Sequence, residues 1–415
     1  MGRVTSASHA VKKLPRILVL IDHYLPGTNT GGAVRTLAAT VERLGDEFEF
    51  VVVTSDRDRG DTEPYPGAAA VPARIGKAEV HYRPSRRLRA APLSALLRRL
   101  DPDVIFLNGF FSRTSVSTLL ARRAGRVARI PVILAPRGDF SPGALWLKRY
   151  KKRPYVRFTR CLGLCRGITW QATNECEAGH IRSAFGGGRV ADGLRIAVAR
   201  DLVAGVETAM AAGPAVDAQA AIGRGKRPGA ARIVFLSRIS RKKNLDGAIR
   251  LLGRVAGEVE FDIYGPVEDA GYWRECLRLL DELPRNVRAA YRGPVEADRV
   301  SEVLSGYHLL LLPTKGENFG HVILEALMAG CPVLVSDETP WRGLAVRQVG
   351  WDFPLAAPEC SRAALDAAIG MDAVEFGVWS ENAARYGKSC AGDPAVVEAN
   401  RAVFRQALDS GEEKG

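Results

Sequence analysis

Short apolar runs alternate with amphipathic segments along the whole chain, and this pattern predicts β-strands alternating with α-helices. The predicted strands of the first half are residues 16–21, 48–55, 103–109, 131–136 and 167–173. Those of the second half are residues 231–237, 260–265, 287–293, 308–313 and 332–336. Alternation of this kind is typical of a mostly parallel sheet with helices on both faces. Because the pattern occurs twice, we predict an α/β protein with two doubly wound, Rossmann-like domains that face each other across a cleft.

The length of the chain and one stretch of small residues indicate two domains. Its 415 residues suit two domains of about 200 residues each. Residues 211–230 are rich in Ala, Gly and Pro and separate the two sets of strands, as a linker would. We therefore predict a first domain over residues 1–200 and a second over residues 201–385. Residues 386–415 are predicted to be helical, and a return to the first domain is one arrangement open to them.

Charge is distributed unevenly between the two halves. The chain has a formal net charge of +13. Its first 200 residues carry 34 Lys and Arg against 16 Asp and Glu, whereas the remainder carries 25 against 30, so the halves stand at +18 and −5. This asymmetry indicates that the first domain meets an anionic partner, which could be nucleic acid, a phospholipid surface or a phosphorylated acceptor.

The cysteines and the lengths of the apolar runs indicate the cellular compartment of the protein. The seven cysteines are scattered without a Cys-x-x-Cys pair, which is typical of reduced thiols. The longest apolar runs, such as residues 17–21 and 309–312, are far too short to span a bilayer. No secretory segment follows the basic start of the chain. These features predict a cytoplasmic protein.

Cations and glycines follow the predicted strands of the second domain. Arg238 and Lys243 come after the first of these strands, and Gly265 and Gly293 come after the next two. Ligands of doubly wound sheets bind beyond the carboxyl ends of the strands, so these residues are expected to converge on one cleft. Two cations neutralise a diphosphate, and glycine allows the backbone to approach a ligand closely.

Two glutamates flank the start of a predicted helix in the same domain. A helix that begins near Gly320 and ends at Gly330 has free N–H groups in its first turn, and these attract anions. Glu317 lies in the loop before this helix, and Glu325 lies more than one turn inside it. Taken alone, the pair is equally compatible with a capping carboxylate beside a solvated glutamate.

The ordered combination of these features resembles the retaining nucleotide-sugar glycosyltransferases of family 4, which have the GT-B fold. The resemblance covers nearly the whole chain and is strongest over residues 231–341; in the first domain it includes the run at residues 17–38. It implies a nucleotide-sugar donor and a saccharide or lipid-linked acceptor, with a role in surface polysaccharide synthesis such as exopolysaccharide, O-antigen or lipopolysaccharide.

The resemblance also implies roles for individual residues. It assigns the donor diphosphate to Arg238 and Lys243, the hydroxyls of the donor sugar to Glu317, and ribose to Glu325. Arg238, Lys243 and Glu317 are the predicted catalytic residues. The other predicted donor contacts are Gly31, Gly32, Arg137, Gly265, Val295, Asn318, Phe319, Gly320, His321 and Val322.

Some of these contacts are expected through the backbone. Gly31 and Gly32 match glycines that approach the phosphates, and the N–H groups of residues 319–322 are expected to face sugar and phosphate. The loop at residues 293–295 is expected to flank the base.

Four positions depart from the family pattern. Ser237 and Asn244 stand where the family usually has glycine before the Arg and after the Lys, and Asn318 replaces a common glycine beside the first glutamate. Arg137 stands where many members have a histidine near the donor sugar, so a fixed cation is expected at that place.

The expected mechanism follows from charge. Breaking the sugar C1–O bond leaves a nucleoside diphosphate with extra negative charge, which preorganised cations and N–H dipoles stabilise. The resemblance implies retention by front-face attack, in which the leaving phosphate oxygen helps to take the proton of the acceptor. Glu317 would then position the sugar rather than form a covalent intermediate. No cofactor and no metal ion are expected.

Other functions remain as alternatives. Asp-x-Asp occurs at residues 56–58 and 101–103 and would suit a metal-dependent transferase, although each match is short. The glycines at 27, 31 and 32 suit a dehydrogenase poorly, because their spacing is not Gly-x-Gly-x-x-Gly. A glycosidase would leave the cations unexplained. A related GT-B-like epimerase and a non-enzymatic nucleic-acid-binding protein are the other candidates, and none of the usual nucleic-acid folds fits two doubly wound domains.

Basic and aromatic side chains alternate in one stretch of the first domain. The basic residues are Lys148, Arg149, Lys151, Lys152, Arg153, Arg157 and Arg160, and the large apolar ones are Trp146, Leu147, Tyr150, Tyr155 and Phe158. Pro154 is predicted to interrupt any helix there. A solvated basic face and a reversible contact with an anionic membrane leaflet are the two interpretations, and the aromatic residues favour the second.

Overall fold

The computed structural model of the chain describes residues 13–27, 31–58, 60–67, 71–84, 90–127, 130–146, 149–186, 193–203 and 225–412. Most of the predicted linker at residues 211–230, together with Leu147 and Lys148, lies outside the described residues.

The first domain is built on an eight-stranded sheet with the strand order β3-β4-β2-β1-β5-β6-β7-β8. All neighbouring strands are parallel except β3 and β4, which are antiparallel. The strands are β1 Arg16–Leu20, β2 Glu49–Ser55, β3 Ala73–Ile75, β4 Ala78–Arg83, β5 Val104–Asn108, β6 Val132–Ala135, β7 Thr169–Ala172 and β8 Arg195–Val198. The helices are α1 Gly32–Leu44, α2 Ala90–Leu100, α3 Arg113–Arg123, α4 Pro142–Trp146, α5 Arg149–Cys161 and α6 Glu175–Phe185.

The second domain has a six-stranded, fully parallel sheet with the order β11-β10-β9-β12-β13-β14. Its strands are β9 Ala230–Leu236, β10 Glu258–Tyr264, β11 Val287–Gly293, β12 Leu309–Leu312, β13 Val333–Ser336 and β14 Gly350–Phe353. The helices are α7 Leu245–Leu252, α8 Ala270–Asp281, α9 Val300–Ser305, α10 His321–Met328, α11 Pro358–Gly370, α12 Ala373–Ala391 and α13 Pro394–Glu412, with one 3₁₀ turn at Ala297–Arg299.

All ten predicted strands are present, and the predicted fold class is confirmed. Central strands such as β1 and β12 are buried on both faces by helices, which is why each is an unbroken apolar run. The strands that the pattern missed are short or polar. The edge strand β8 is largely exposed, and β14 begins at Gly350, whose φ of 147° is rarely adopted by other residues.

Helix α5 runs through Pro154, so the predicted interruption is wrong. A proline in the second turn removes the hydrogen bond that its own N–H would have donated and crowds the carbonyl group four residues earlier, while the other backbone hydrogen bonds of the helix can still form. The helix is held in addition by Tyr155 and Val156, which pack against the core of the first domain.

The last helix, α13, lies on the first domain. The ring of Phe404 packs against Phe48, Phe50 and Phe106 at centroid distances of 5.5, 5.8 and 5.3 Å. Asn400 accepts a hydrogen bond from Gln171 at 2.9 Å. The core of the first sheet is therefore completed by the C-terminal end of the chain. Among the described residues, no helix is both long and apolar enough to cross a membrane.

Candidate active site

The N-terminus of α1 meets the second domain at two glycines. A Cβ atom on Gly31 would lie 4.0 Å from Nε of Arg238, and one on Gly32 would lie 2.9 Å from Cδ2 of His321. Gly31 also has a φ of 75°, a conformation that glycine adopts without strain. A side chain at position 32 would therefore press against His321, whereas at position 31 it is the backbone conformation that favours glycine. The two glycines allow α1 to approach the predicted donor residues.

Lys243 and Glu317 form an ion pair whose carboxylate also interacts electrostatically with Arg238. Each side chain is only 12% exposed. Burial on its own raises the pKa of Glu317, but Lys243, Lys242 and Arg238 outweigh it and hold the pKa below its usual value. The carboxylate is therefore ionised at neutral pH and can accept hydrogen bonds, as from sugar hydroxyls.

The backbone around Lys243 explains one departure from the family pattern. Asn244 has φ 61° and ψ 43°, in the left-handed region. Asparagine tolerates this conformation better than most residues other than glycine, and its side chain donates a hydrogen bond to the carbonyl oxygen of Pro313 at 2.7 Å. The loop after β9 is therefore joined to the loop after β12.

Arg238 lies on the open side of the same site. Its guanidinium donates to Glu268 at 2.6 Å and remains about one third exposed. Gly265 has a φ of 132°, and any Cβ there would overlap the carbonyl oxygen of Ser237, so only glycine fits behind the arginine. The predicted Val295 is partly buried against the core of the second domain, beyond Gly293.

Sequence reasoning missed a third cation, Lys242. Its Cε atom lies 3.5 Å from the position that a Cβ on Gly316 would take. Burial lowers its pKa; Glu317 opposes this effect, whereas Lys243 and Arg238 add to it. Three positive groups thus surround one carboxylate. The only signal for Lys242 in the sequence was its place in the Arg-Lys-Lys run.

The loop of residues 313–320 connects β12 to α10 and positions the N-terminus of α10. Gly320 caps the helix with φ 82°, and Nε1 of Trp341 donates to the carbonyl oxygen of Phe319 at 2.7 Å. Within the part of the chain that the structure describes, no hydrogen bond uses the backbone N–H groups of residues 318–322. These donors and the helix dipole together provide a site for an anion.

Glu325 joins the two domains further along α10. It pairs with Arg35 of α1, while its Oε2 atom is buried with no hydrogen-bond partner among the described residues. Burial raises the pKa of Glu325 and Arg35 opposes that shift. A buried carboxylate oxygen without a donor is costly, so a ligand that offers hydroxyl groups would be favoured there.

His321 makes a second link between α10 and α1. Its Nε2 atom lies 2.9 Å from the hydroxyl of Thr36. Burial lowers the pKa of His321, so its ring is neutral near pH 7. The side chain is engaged with the first domain, and its backbone N–H is among the free donors.

Arg137 is positioned by the first domain. It pairs with Asp201, and its Nη2 atom donates to Oδ1 of Asn108 at 3.1 Å. The Nδ2 atom of Asn108 is buried and has no hydrogen-bond partner in the described ranges of the chain. The guanidinium is therefore largely neutralised by Asp201, which sequence reasoning missed because the two residues follow different strands.

The described residues include no group of three or more His, Cys, Asp or Glu side chains that could hold a metal ion. In the two Asp-x-Asp stretches, Asp56 pairs with Arg57 and Asp103 accepts the backbone N–H of Arg16 at 2.7 Å.

Comparison with known proteins identifies the family. Residues 31–237 match the glycosyl transferase 4-like domain, and residues 221–351 match glycosyl transferases group 1. A D-inositol 3-phosphate glycosyltransferase of Paenarthrobacter aurescens is 28% identical over 131 residues, which are 28% of this chain and 29% of that protein.

Two solved structures are similar over most of the chain. Sucrose-phosphate synthase from Thermosynechococcus elongatus has a TM-score of 0.72 at 14% identity, covering 95% of this chain and 100% of that one. HepE from Anabaena, in complex with UDP and glucose, has a TM-score of 0.63 at 18% identity with the same coverage. Two family matches that together run from residue 31 to residue 351, on this two-domain architecture, place the chain among the glycosyltransferases of the GT-B fold.

Proposed function

We propose that the protein is a retaining glycosyltransferase that moves a sugar from a nucleoside diphosphate donor to a saccharide or lipid-linked acceptor during synthesis of a surface polysaccharide. The observation that carries this proposal is the Lys243–Glu317 ion pair, with Arg238 and Lys242 beside it and the free N–H groups of residues 318–322 at the start of α10.

The cations and the helix terminus suit a diphosphate leaving group. Arg238 and Lys243 neutralise the charge that develops when the sugar C1–O bond breaks, and Lys242 adds to the same field. These charges are held in place before the reaction, so little reorganisation is needed as the bond breaks. The UDP and glucose bound in the structurally similar HepE are consistent with a nucleotide-sugar donor here.

The two glutamates serve different parts of the donor. Glu317 is ionised and buried beside the cations, where it accepts hydrogen bonds from sugar hydroxyls. Glu325 offers its Oε2, which no described residue contacts by a hydrogen bond, to the hydroxyls of ribose. Because Lys243 already neutralises Glu317, this carboxylate is a poor covalent nucleophile, which favours front-face attack with proton transfer to the leaving phosphate oxygen.

We expect transfer without a divalent metal ion, because Arg238, Lys243 and the helix N-terminus supply the positive charge. The test is a panel of UDP-, GDP- and dTDP-sugars. The cognate donor should raise the melting temperature, and release of nucleoside diphosphate onto a panel of saccharide acceptors should continue in EDTA.

The controls separate the rival functions. Activity that EDTA abolishes and Mn²⁺ or Mg²⁺ restores would contradict metal independence. Conversion of the donor at full rate with no acceptor present would indicate an epimerase. Retained anomeric configuration in the product, read by proton NMR, is expected; inversion would contradict the front-face mechanism.

A surface on the first domain suggests where the acceptor is met. We call the exposed side chains of α4, α5 and the turn after α5 the basic-aromatic surface. Trp146, Tyr150 and Phe158 are 64%, 69% and 48% exposed. The guanidinium of Arg149 lies 4.4 Å from the ring centre of Trp146, and the ammonium of Lys151 lies 5.7 Å from that of Tyr150. Aromatic rings beside cations suit the headgroup region of an anionic bilayer.

One lysine of this stretch faces inwards. Lys152 donates to the carbonyl oxygen of Ala144 at 2.9 Å and lies 4.7 Å from the ring centre of Phe111. It holds α5 against α4 and the loop after β5, so it is unsuitable as a test of membrane binding.

We expect the protein to sediment with vesicles of anionic lipid at low salt and to dissociate as NaCl is added. Each basic side chain near such a surface contributes roughly 1 kcal/mol, which salt screens. The triple variant Lys151→Ser, Arg153→Ser and Arg157→Ser should therefore lose at least about tenfold in vesicle affinity.

The matched control removes the same charge from exposed positions of the second domain, with Arg274→Ser, Arg278→Ser and Arg285→Ser. This variant should bind vesicles as the unmodified protein does. Equal losses in both variants, or no binding at low salt, would contradict membrane attachment through the basic-aromatic surface.

A further inference from the structure

A buried carboxylate of the first domain receives a hydrogen bond from the second domain. Glu177, in the first turn of α6, is 3% exposed. Its two oxygens accept from the backbone N–H groups of Gly138 at 2.6 Å and Thr173 at 2.7 Å. The third donor is Nδ2 of Asn318, at 3.1 Å, which belongs to the β12–α10 loop of the other domain.

Asn318 is held by the first domain through its side-chain amide and through its backbone carbonyl group. Its side-chain Nδ2 also donates to the hydroxyl of Thr173 at 2.7 Å, and its backbone carbonyl oxygen accepts from Nδ2 of Asn174 at 2.8 Å. Asn174 in turn caps α6, because its Oδ1 accepts from the N–H of Glu177 at 2.8 Å. Two residues at the start of α6, Asn174 and Glu177, thus contact the same residue of the opposite domain.

The same carboxylate also orders the segment that carries Arg137. The N–H of Gly138 donates to Glu177, and a Cβ on Gly138 would lie 3.3 Å from Cβ of Asn318. The loop between β6 and α4 and the loop between β12 and α10 therefore touch each other and share Glu177 as a common partner.

Opening the cleft would remove one of the donors to a buried negative charge. A hydrogen bond to a charged group stabilises more than one between neutral groups, and a buried group left without its partner is destabilised further. Closure is therefore favoured at this point, directly beside Glu317. Asn318 is the residue that makes the contact, and a glycine at this position would leave both amide hydrogen bonds unmade.

We propose that Glu177 and Asn318 are positioning residues that hold the cleft closed and set the β12–α10 loop, with Glu317, against the β6–α4 loop. This proposal rests on the proposed function for its effect on sugar transfer, whereas the closure itself is independent of it. Neither side chain is assigned a contact with the reacting atoms, and the backbone N–H of Asn318 stays among the donors at the start of α10 in every variant.

A charge exchange between the two residues tests the proposal. In Asn318→Asp two carboxylates face each other, and in Glu177→Gln an amide faces three N–H donors, so each change opposes closure. In the double variant, Nε2 of Gln at position 177 can donate to the carboxylate at position 318. We expect each single variant to lower kcat by about 10- to 100-fold, and the double variant to recover at least about tenfold over the product of the two losses.

Three further readouts distinguish positioning from general damage. The radius of gyration of the ligand-free protein, from small-angle scattering, should increase in Asn318→Asp and return in the double variant. Affinity for the free nucleoside diphosphate, which the second domain binds, should stay within about threefold in all variants. Asn318→Gly removes the two side-chain hydrogen bonds without adding repulsion and should lie between the unmodified protein and Asn318→Asp. Asn382→Asp, at a partly exposed position of α12, should change nothing.

The outcomes are separable from those of the proposed function. Strictly additive losses, or an unchanged radius of gyration in Asn318→Asp and Asn318→Gly, would overturn the proposal even if sugar transfer is confirmed. If no sugar nucleotide is turned over by the unmodified protein, the proposed function fails, and the scattering series alone decides whether this contact closes the cleft.

Discussion

Replacing Lys243 with alanine is expected to lower kcat by about 30- to 1000-fold, which corresponds to about 2 to 4 kcal/mol of transition-state stabilisation. The change removes a cation from the site of the leaving diphosphate. It also leaves Glu317 buried without its partner, although Lys242 and Arg238 remain near it. The measurement is kcat and kcat/KM for nucleoside diphosphate release with the donor found in the panel.

Arg238 and Arg241 provide the comparison within the same loop. Arg238→Ala should lower kcat by a factor within the same range. The factor should be smaller than for Lys243→Ala, because Arg238 is more exposed than Lys243. Arg241→Ala is the matched control, because Arg241 points to the surface and pairs with Glu275 at 2.5 Å. Unchanged turnover in the Lys243 and Arg238 double variant would remove both residues from the active site.

Substitutions of the two glutamates are expected to have different effects: one on kcat and the other on nucleotide affinity. Glu317→Gln keeps the size of the side chain and loses its charge, so it should lower kcat by about 100-fold while the affinity for the bare nucleoside diphosphate changes by less than about threefold. Glu325→Ala should weaken that affinity by about tenfold, because the ribose contact is lost, and change kcat less.

Isothermal titration with the nucleoside diphosphate and steady-state kinetics with the complete donor make this distinction. Glu381→Gln, an exposed position on α12, is the control for loss of one carboxylate. Equal weakening of bare nucleotide binding by Glu317→Gln and Glu325→Ala would show that the two side chains do not have separate roles.

The ion pair between Arg35 and Glu325 affects the interpretation of Glu325→Ala. Glu325 pairs with Arg35, so removing it also frees a cation of the first domain. Arg35→Ala should therefore be measured alongside Glu325→Ala. If Glu325 acts by binding ribose, the loss of nucleotide affinity should be larger in Glu325→Ala than in Arg35→Ala, since Arg35→Ala retains the carboxylate.

Much of the fold follows from local patterns. The central strands are apolar runs because parallel strands covered on both faces have no polar side. The start of α10 at His321 follows from the glycine before it, and the end of the helix follows from Gly330, which adopts a φ of 67° in the structure. Strand β8 escaped prediction because an edge strand keeps one side in water and loses the apolar signal.

Some features required the packing of the whole domain. The continuity of α5 through Pro154 depends on contacts of Tyr155 and Val156 with a core that is distant in sequence. Phe404 completes the first sheet from almost the opposite end of the chain. A prediction based on neighbouring residues does not include stabilisation by residues that are distant in sequence.

The sequence by itself determined the two doubly wound sheets and, within the second domain, the loops that carry Arg238, Lys243 and Glu317, because strand ends and glycines mark those loops locally. Only the tertiary structure decided the partners across the cleft: Arg35 with Glu325, Thr36 with His321 and Glu177 with Asn318. These partners are 290, 285 and 141 residues apart. Which side chains meet at such separations depends on how two complete domains dock, and docking leaves no periodic pattern in the sequence.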